Sequence, residues 1–80
     1  KSLSMKDVLE TIAKSLVDAP NEVQITEVNG EKTIIFELRC NAKDVGKIIG
    51  KSGKTVGAMR TILNSMASKQ GRKAKLEIVD

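Results

Sequence analysis

The sequence predicts an α+β fold in one domain spanning residues 1–80. It is a two-layer sandwich in the order α-β-β-α-α-β, with a three-stranded mixed sheet covered on one face by three helices. Three observations point there. Aliphatic residues recur at helical spacing in three segments, two runs rich in β-branched residues flank Asn29-Gly30, and a third such run closes the chain. The second strand, the two helices after it and the last strand form a crossover, which should return parallel and right-handed. That makes the second strand central and sets all three helices on the apolar face of the sheet.

In "SMKDVLETIAKSLVDAP", Val8, Leu9, Ile12, Ala13, Leu16 and Val17 form an apolar stripe, Ser4 is the expected N-cap with Asp7 three residues later, and Pro20 closes the segment. "EVQITEV" and "KTIIFELRC" then read as an antiparallel hairpin, with Asn29-Gly30 suited to a tight turn through its readiness for positive φ. In the second strand Ile34, Phe36, Leu38 and Cys40 alternate onto one face and Thr33, Glu37 and Arg39 onto the other, with Ile35 the exception. "NAKDVGKII" is a short helix with Asn41 as its cap, Asp44 at its third position, Val45, Ile48 and Ile49 facing inward, and Gly50 at its end. Val56, Met59, Ile62, Leu63, Met66 and Ala67 mark a longer helix that stops near Gly71, a C′ glycine, with Gly57 a local weakness. "KAKLEIVD" supplies the last strand, Leu76 and Ile78 on one face.

Composition narrows the function. The 80 residues allow one core, and with Phe36 the only aromatic that core is built of Ile, Leu and Val. The formal charge of +4 favours an anionic partner. Cys40 is the only cysteine, so no internal disulfide exists and a reducing compartment fits. With no apolar run near membrane-span length and no leader-like start, a cytoplasmic protein with no membrane partner is expected. The chain opens on Lys1 rather than methionine, and nothing functional is read from its first residues. There is no histidine, no Cys-His pair and no carboxylate cluster beside the glycine-rich turn, so no enzyme, metal or cofactor is expected.

The turn itself, in "GKIIGKSGKT", carries the functional signal. A nucleotide-hydrolysing P-loop needs G-x-x-x-x-G-K-[ST], and neither register fits: Ile48 or Val45 stands where the first glycine belongs. A helix-helix turn through "GKSG" instead places two unhindered backbone segments beside the positive end of the following helix, where an anion is welcome. Lys47, Lys51 and Lys54 surround it and Ser52 adds a hydroxyl, so the turn can hold consecutive phosphates of a polynucleotide; the alternative on composition alone is an ordinary helix-helix turn with solvated lysines.

"IIGKSGKTV", an aliphatic pair, G-x-x-G and an aliphatic three residues on, resembles the signature of the K-homology (KH) domain, and the α-β-β-α-α-β order resembles its type II form over essentially the whole chain. The length resembles that of the small stand-alone bacterial KH proteins, which are described as RNA-binding proteins or RNA chaperones. The resemblance implies that Gly50, Lys51, Ser52 and Gly53 clamp about four unpaired nucleotides. It implies a base groove floored by some of Val45, Ile48, Ile49 and Val56, the others being core. It implies a far wall from the last strand and the loop before it, where Lys69, Arg72, Lys73 and Lys75 would add phosphate contacts. Arg39, Arg60 and Asn64 are the polar candidates for reading bases. Without Trp or Tyr, stacking on aromatic platforms has nothing to work with, and with few base-reading side chains modest sequence selectivity is expected. The resemblance implies an RNA chaperone or post-transcriptional regulator. Self-association and pairing with a second KH-containing RNA-binding protein are described for such proteins, so a homodimer or a heterodimer is implied. The rival reading is a protein-interaction module that keeps the fold but binds little RNA.

Overall fold

The computed structural model describes residues 4–79. Helix α1 (Met5–Leu16) starts with a capping box: the Asp7 N–H donates to Ser4 Oγ at 3.1 Å and the Ser4 N–H to Asp7 Oδ2 at 3.4 Å. Its buried stripe is Met5, Leu9 and Ala13, continued by Val17 just past the helix; Leu9, Ala13 and Val17 are as expected, Met5 joins them, Val8 and Ile12 are half-buried, and Leu16 is exposed. Pro20 opens a single 3₁₀ turn, and the chain then enters β1 (Gln24–Asn29).

β1 pairs antiparallel with β2 (Thr33–Arg39), Gln24 opposite Arg39 and Asn29 opposite Ile34. The turn departs from the expected one. The Gly30 N–H donates to the Thr33 carbonyl at 2.8 Å, so the two loop residues are Glu31 and Lys32, and none of residues 29–32 has positive φ. Gly30 is required for closeness instead, because a Cβ there would lie 2.7 Å from the Thr33 carbonyl oxygen. β2 is central and runs parallel to β3 (Lys73–Val79), in the sheet order β1-β2-β3. Asp80, read from the sequence as the end of this strand, lies outside the described residues.

One sheet face is packed under the helices. Ile34, Phe36 and Leu38 of β2 are fully buried, joined by Ala74 and Leu76 of β3, with Ile25, Ile78 and Cys40 half-buried at the margin. The other face bears no helix; Thr33, Ile35 and Glu37 are half-buried there and Arg39 is exposed. Helix α2 (Val45–Ile49) follows a 3₁₀ turn, Ala42–Asp44, capped by Asn41, whose Oδ1 accepts from the Lys43 N–H at 2.9 Å. Helix α3 (Lys54–Ser68) buries Val56, Met59, Leu63 and Ala67 and leaves Ile62 exposed. It ends as expected at Gly71, whose φ of 71° lets its N–H reach the Ser68 carbonyl and the Arg72 N–H reach the Ala67 carbonyl, both at 3.0 Å. No helix among the described residues is long and apolar enough to cross a membrane.

Candidate nucleic-acid interface

The segment between α2 and α3 is built from backbone that few residues adopt. Gly50 closes α2 with φ 76°, ψ 172°, its N–H on the Gly46 carbonyl at 2.9 Å. A single 3₁₀ turn follows, in which Ser52 (φ 58°, ψ 27°) and Gly53 (φ 73°, ψ 13°) are both left-handed, and the Gly53 N–H donates to the Gly50 carbonyl at 3.1 Å. The two glycines do different work. A Cβ on Gly50 would collide with Thr55, 2.6 Å from its Cβ and 2.9 Å from its backbone nitrogen, so Gly50 lets the chain fold back onto the first turn of α3. At Gly53 a Cβ would meet nothing within 4 Å, so this backbone is bare toward solvent and open to a ligand.

The end of α3 facing this turn has no side-chain compensation, although the Lys54 N–H donates to the Lys51 carbonyl of the turn itself. Where α1 satisfies its first turn with Ser4 and Asp7, no side chain caps α3 and no carboxylate lies in its first turn. The rest of its first turn and its positive dipole end therefore favour an external anion. Lys51 and Lys54 are exposed beside it and, among the described residues, enter no ion pair.

Lys47 has other partners. Its ammonium lies 3.0 Å from Asp18 Oδ2 and 3.4 Å from Asp44 Oδ1. The hydrogen bond to Asp18 comes first, then that to Asp44, in raising its pKa. Asp44 is buried and accepts the Asp18 N–H at 3.2 Å and the Ala19 N–H at 3.1 Å. Burial works to raise the pKa of Asp44, but these two N–H groups and the Lys47 ammonium outweigh it and hold the carboxyl below its ordinary value. Asp44 is, as expected, the third residue of the start capped by Asn41, and it also pins the segment just after α1 to the beginning of α2. Lys47, expected among the phosphate contacts, is the outer member of that pin.

The structure sorts the aliphatic candidates. Ile48 is fully buried and Val56 nearly so, and both belong to the core. Val45 is half-buried and Ile49 is 37% exposed, against the expectation that both face inward, and these two leave apolar surface next to the glycine turn.

Two contacts fix the direction of α3 against β3. The Arg60 guanidinium donates from Nε and Nη2 to the Leu76 carbonyl at 3.2 and 2.9 Å, and Asn64 Oδ1 accepts the Ala74 N–H at 2.9 Å. One helical turn thus matches two strand residues, and helix and strand run in opposite senses. The glycine turn lies beyond the Val79 end of β3. Arg72 and Lys73, expected on the far wall of the same groove, stand at the opposite end of α3, about 22 Å away at 1.5 Å per residue. The Arg72 guanidinium is taken up by Asn29 Oδ1, the Gly30 carbonyl and Gln70. Lys73 and Lys75 alternate with buried Ala74 and Leu76, so they lie on the helix-free face, as does Arg39. Of the base-reading candidates, Arg60 and Asn64 are the ones between α3 and the free edge of β3.

One signal was open to a reading of the sequence and was missed. Residues 45–76 carry eight of the fourteen Lys and Arg residues and none of the ten Asp and Glu residues. The whole-chain charge conceals this polarity, which in the fold belongs to α2, the glycine turn, α3 and the first half of β3. Among the described residues no group of three or more His, Cys, Asp or Glu is placed to hold a metal.

A hairpin followed by two helices and a parallel edge strand, with a G-x-x-G turn between the helices, defines a type II KH domain. The chain belongs to the KhpA/KhpB family, whose KH-domain model matches residues 6–78. It is 51% identical over 75 residues to "RNA-binding protein KhpA" of Clostridium acetobutylicum, covering 94% of this chain and 100% of the relative. The proteins of the same name from Chlamydia caviae (54% over 76 residues, 95% of this chain and 97% of the relative) and Aquifex aeolicus (44% over 77 residues, 96% and 98%) are similarly close. No solved structure matches the chain.

Proposed function

We propose that this protein binds short single-stranded RNA, holding the sugar-phosphate backbone on the turn Gly50 to Gly53 and the bases against Val45 and Ile49, and acts as an RNA chaperone or post-transcriptional regulator. The relatives' name, RNA-binding protein KhpA, supports RNA as the ligand. The observation that carries the site is the open, left-handed Gly53 at the uncapped N-terminus of α3, flanked by Lys51 and Lys54. Backbone N–H groups and a helix dipole recognise phosphate without reading sequence, so the contacts position the strand and discriminate weakly among bases.

The test is a double variant, Lys51→Asp with Ser52→Asp. Both positions are exposed, and Asp tolerates the left-handed conformation of residue 52 at least as well as Ser, so stability should change by less than about 0.5 kcal/mol. RNA binding should be lost, because two carboxylates replace cation and hydroxyl against the phosphates. A variant that melts like the parent and binds RNA undiminished shows that the turn is not the site.

A second reading, association through the helices, draws on Ile62, a large aliphatic 41% exposed on α3. Pairing with a second copy, or with another KH-containing chain, is compatible with RNA binding.

A further inference from the structure

The acid-free half of the chain extends well past the glycine turn. On the helix-free face, Lys73 and Lys75 stand two residues apart on β3, about 6.6 Å along the strand. The Lys73 N–H donates to the Lys32 carbonyl at 2.9 Å, which brings the β1-β2 turn and its Lys32 alongside. All three lysines are exposed, and among the described residues none is in an ion pair. In the same row across the sheet as Lys75 lie Ile35 and Val28, the latter 53% exposed. Cations beside an exposed and a half-buried aliphatic repeat, at the far end of the domain, the combination found at the glycine turn.

We propose that Lys32, Lys73 and Lys75 form a second contact for the same RNA strand, reached along the free edge of β3. This rests on the reading of the glycine turn as an RNA clamp. The route follows from charge. The row between Lys75 and the loop end holds Glu37 and Glu77 on the helix-free face. Their repulsion keeps a strand on the helix side of the edge, where Arg60 lies, until it passes Leu76. Beyond that point it meets Lys75 and Lys73, with Val28 and Ile35 as apolar surface for base faces. From Val79 at the loop end to Lys73 is six strand steps, about 20 Å. That is about six stacked nucleotides at 3.4 Å each, in addition to about four in the clamp.

The experiment titrates full-length parent, Lys32→Glu/Lys73→Glu/Lys75→Glu, and the loop double variant with labelled oligouridylates of four to twelve nucleotides across a salt series. Parent affinity should rise with length to about ten nucleotides. The triple variant should bind the four-nucleotide RNA like the parent, bind the twelve-nucleotide RNA about tenfold more weakly, and show a salt slope there shallower by about 2. A triple variant that binds the long RNA like the parent overturns this inference alone, as does one weakened equally on short and long RNA, since the lysines then act only through the overall field. Two short strands per chain at saturation overturn the single continuous strand. Long-RNA binding that survives in the loop variant overturns the clamp reading and this inference with it.

Discussion

Gly50 and Gly53 occupy the same motif, yet alanine should affect them very differently. At Gly50 the φ of 76° with ψ of 172° falls in a region populated essentially by glycine, worth about 1–3 kcal/mol of strain for any other residue. The new methyl would also sit 2.9 Å from the Thr55 backbone nitrogen, which cannot yield without moving the first turn of α3, and overpacking of that kind adds about 1–3 kcal/mol. Restricting the unfolded chain returns about 0.4–1 kcal/mol, leaving a net loss for Gly50→Ala of about 1–6 kcal/mol, centred on about 3 kcal/mol. A domain this small has about 4–12 kcal/mol in all. At Gly53 the left-handed φ costs about 1–2 kcal/mol, there is nothing to collide with, and the same unfolded-state term leaves a net loss near 1 kcal/mol. Urea unfolding of the two variants gives the comparison, and thermal melting should show a drop of about 12–24 °C for Gly50→Ala, at the centre of its range, against about 4–8 °C for Gly53→Ala. RNA titration at a temperature where both are folded should reverse the order, because only the Gly53 methyl projects into the space left for a ligand. Equal stability losses at the two positions would refute the division of labour read from the turn.

Three further outcomes are expected. If the clamp neutralises about four phosphates, log K against log salt should have a slope near −3 on a short single strand, and perfect duplex should bind more weakly; a salt-independent interaction contradicts the clamp. Asp44→Asn should lower stability at pH 7. Because the folded pKa of Asp44 is depressed, its contribution is present above the unfolded value near 4 and is lost as pH falls through the lower folded value, so the deficit should narrow below about pH 4 in urea titrations at stepped pH. A deficit independent of pH would mean that the carboxylate charge is not what holds the pin. Sedimentation at high micromolar concentration is expected to show a dimer, and a monomer there removes self-pairing.

Much of the fold was legible because local rules govern it. The capping box at Ser4, the C′ glycine at Gly71 and the alternation through Ile34, Phe36 and Leu38 depend on neighbours within five residues, and the parallel return of β3 on connection handedness. What escaped depends on distance in sequence. The Asn29-Gly30 pair looks like a positive-φ turn, but the register of the hairpin is set by which β1 residues face the core, and that shifts the loop to Glu31 and Lys32. Asp44 reads as a helix-start residue, while its partners lie 25 and 26 residues away. Of the aliphatics around the glycines, periodicity could not separate buried Ile48 and Val56 from the exposed Ile49, since α2 is barely one turn long. The placement of Arg72 and Lys73 needed the antiparallel run of α3 against β3, which Arg60 and Asn64 establish.

The pin at Asp44 bears on how this domain can be cut. Residues 33–79 contain the glycine turn, both flanking helices and the two parallel strands, and look like a self-sufficient recognition module. Excising them would delete the Asp18 and Ala19 N–H groups and the Asp18 carboxylate. Asp44 would then lie at the base of α2 with only Lys47 to balance it. A buried carboxylate stripped of its donors either takes up a proton or drags its surroundings into water. In either case α2 loses its footing. The leading helix and the turn after it therefore act as the splint of the half that carries the glycine turn, and a shortened version that omits them should be judged by whether that turn keeps its shape.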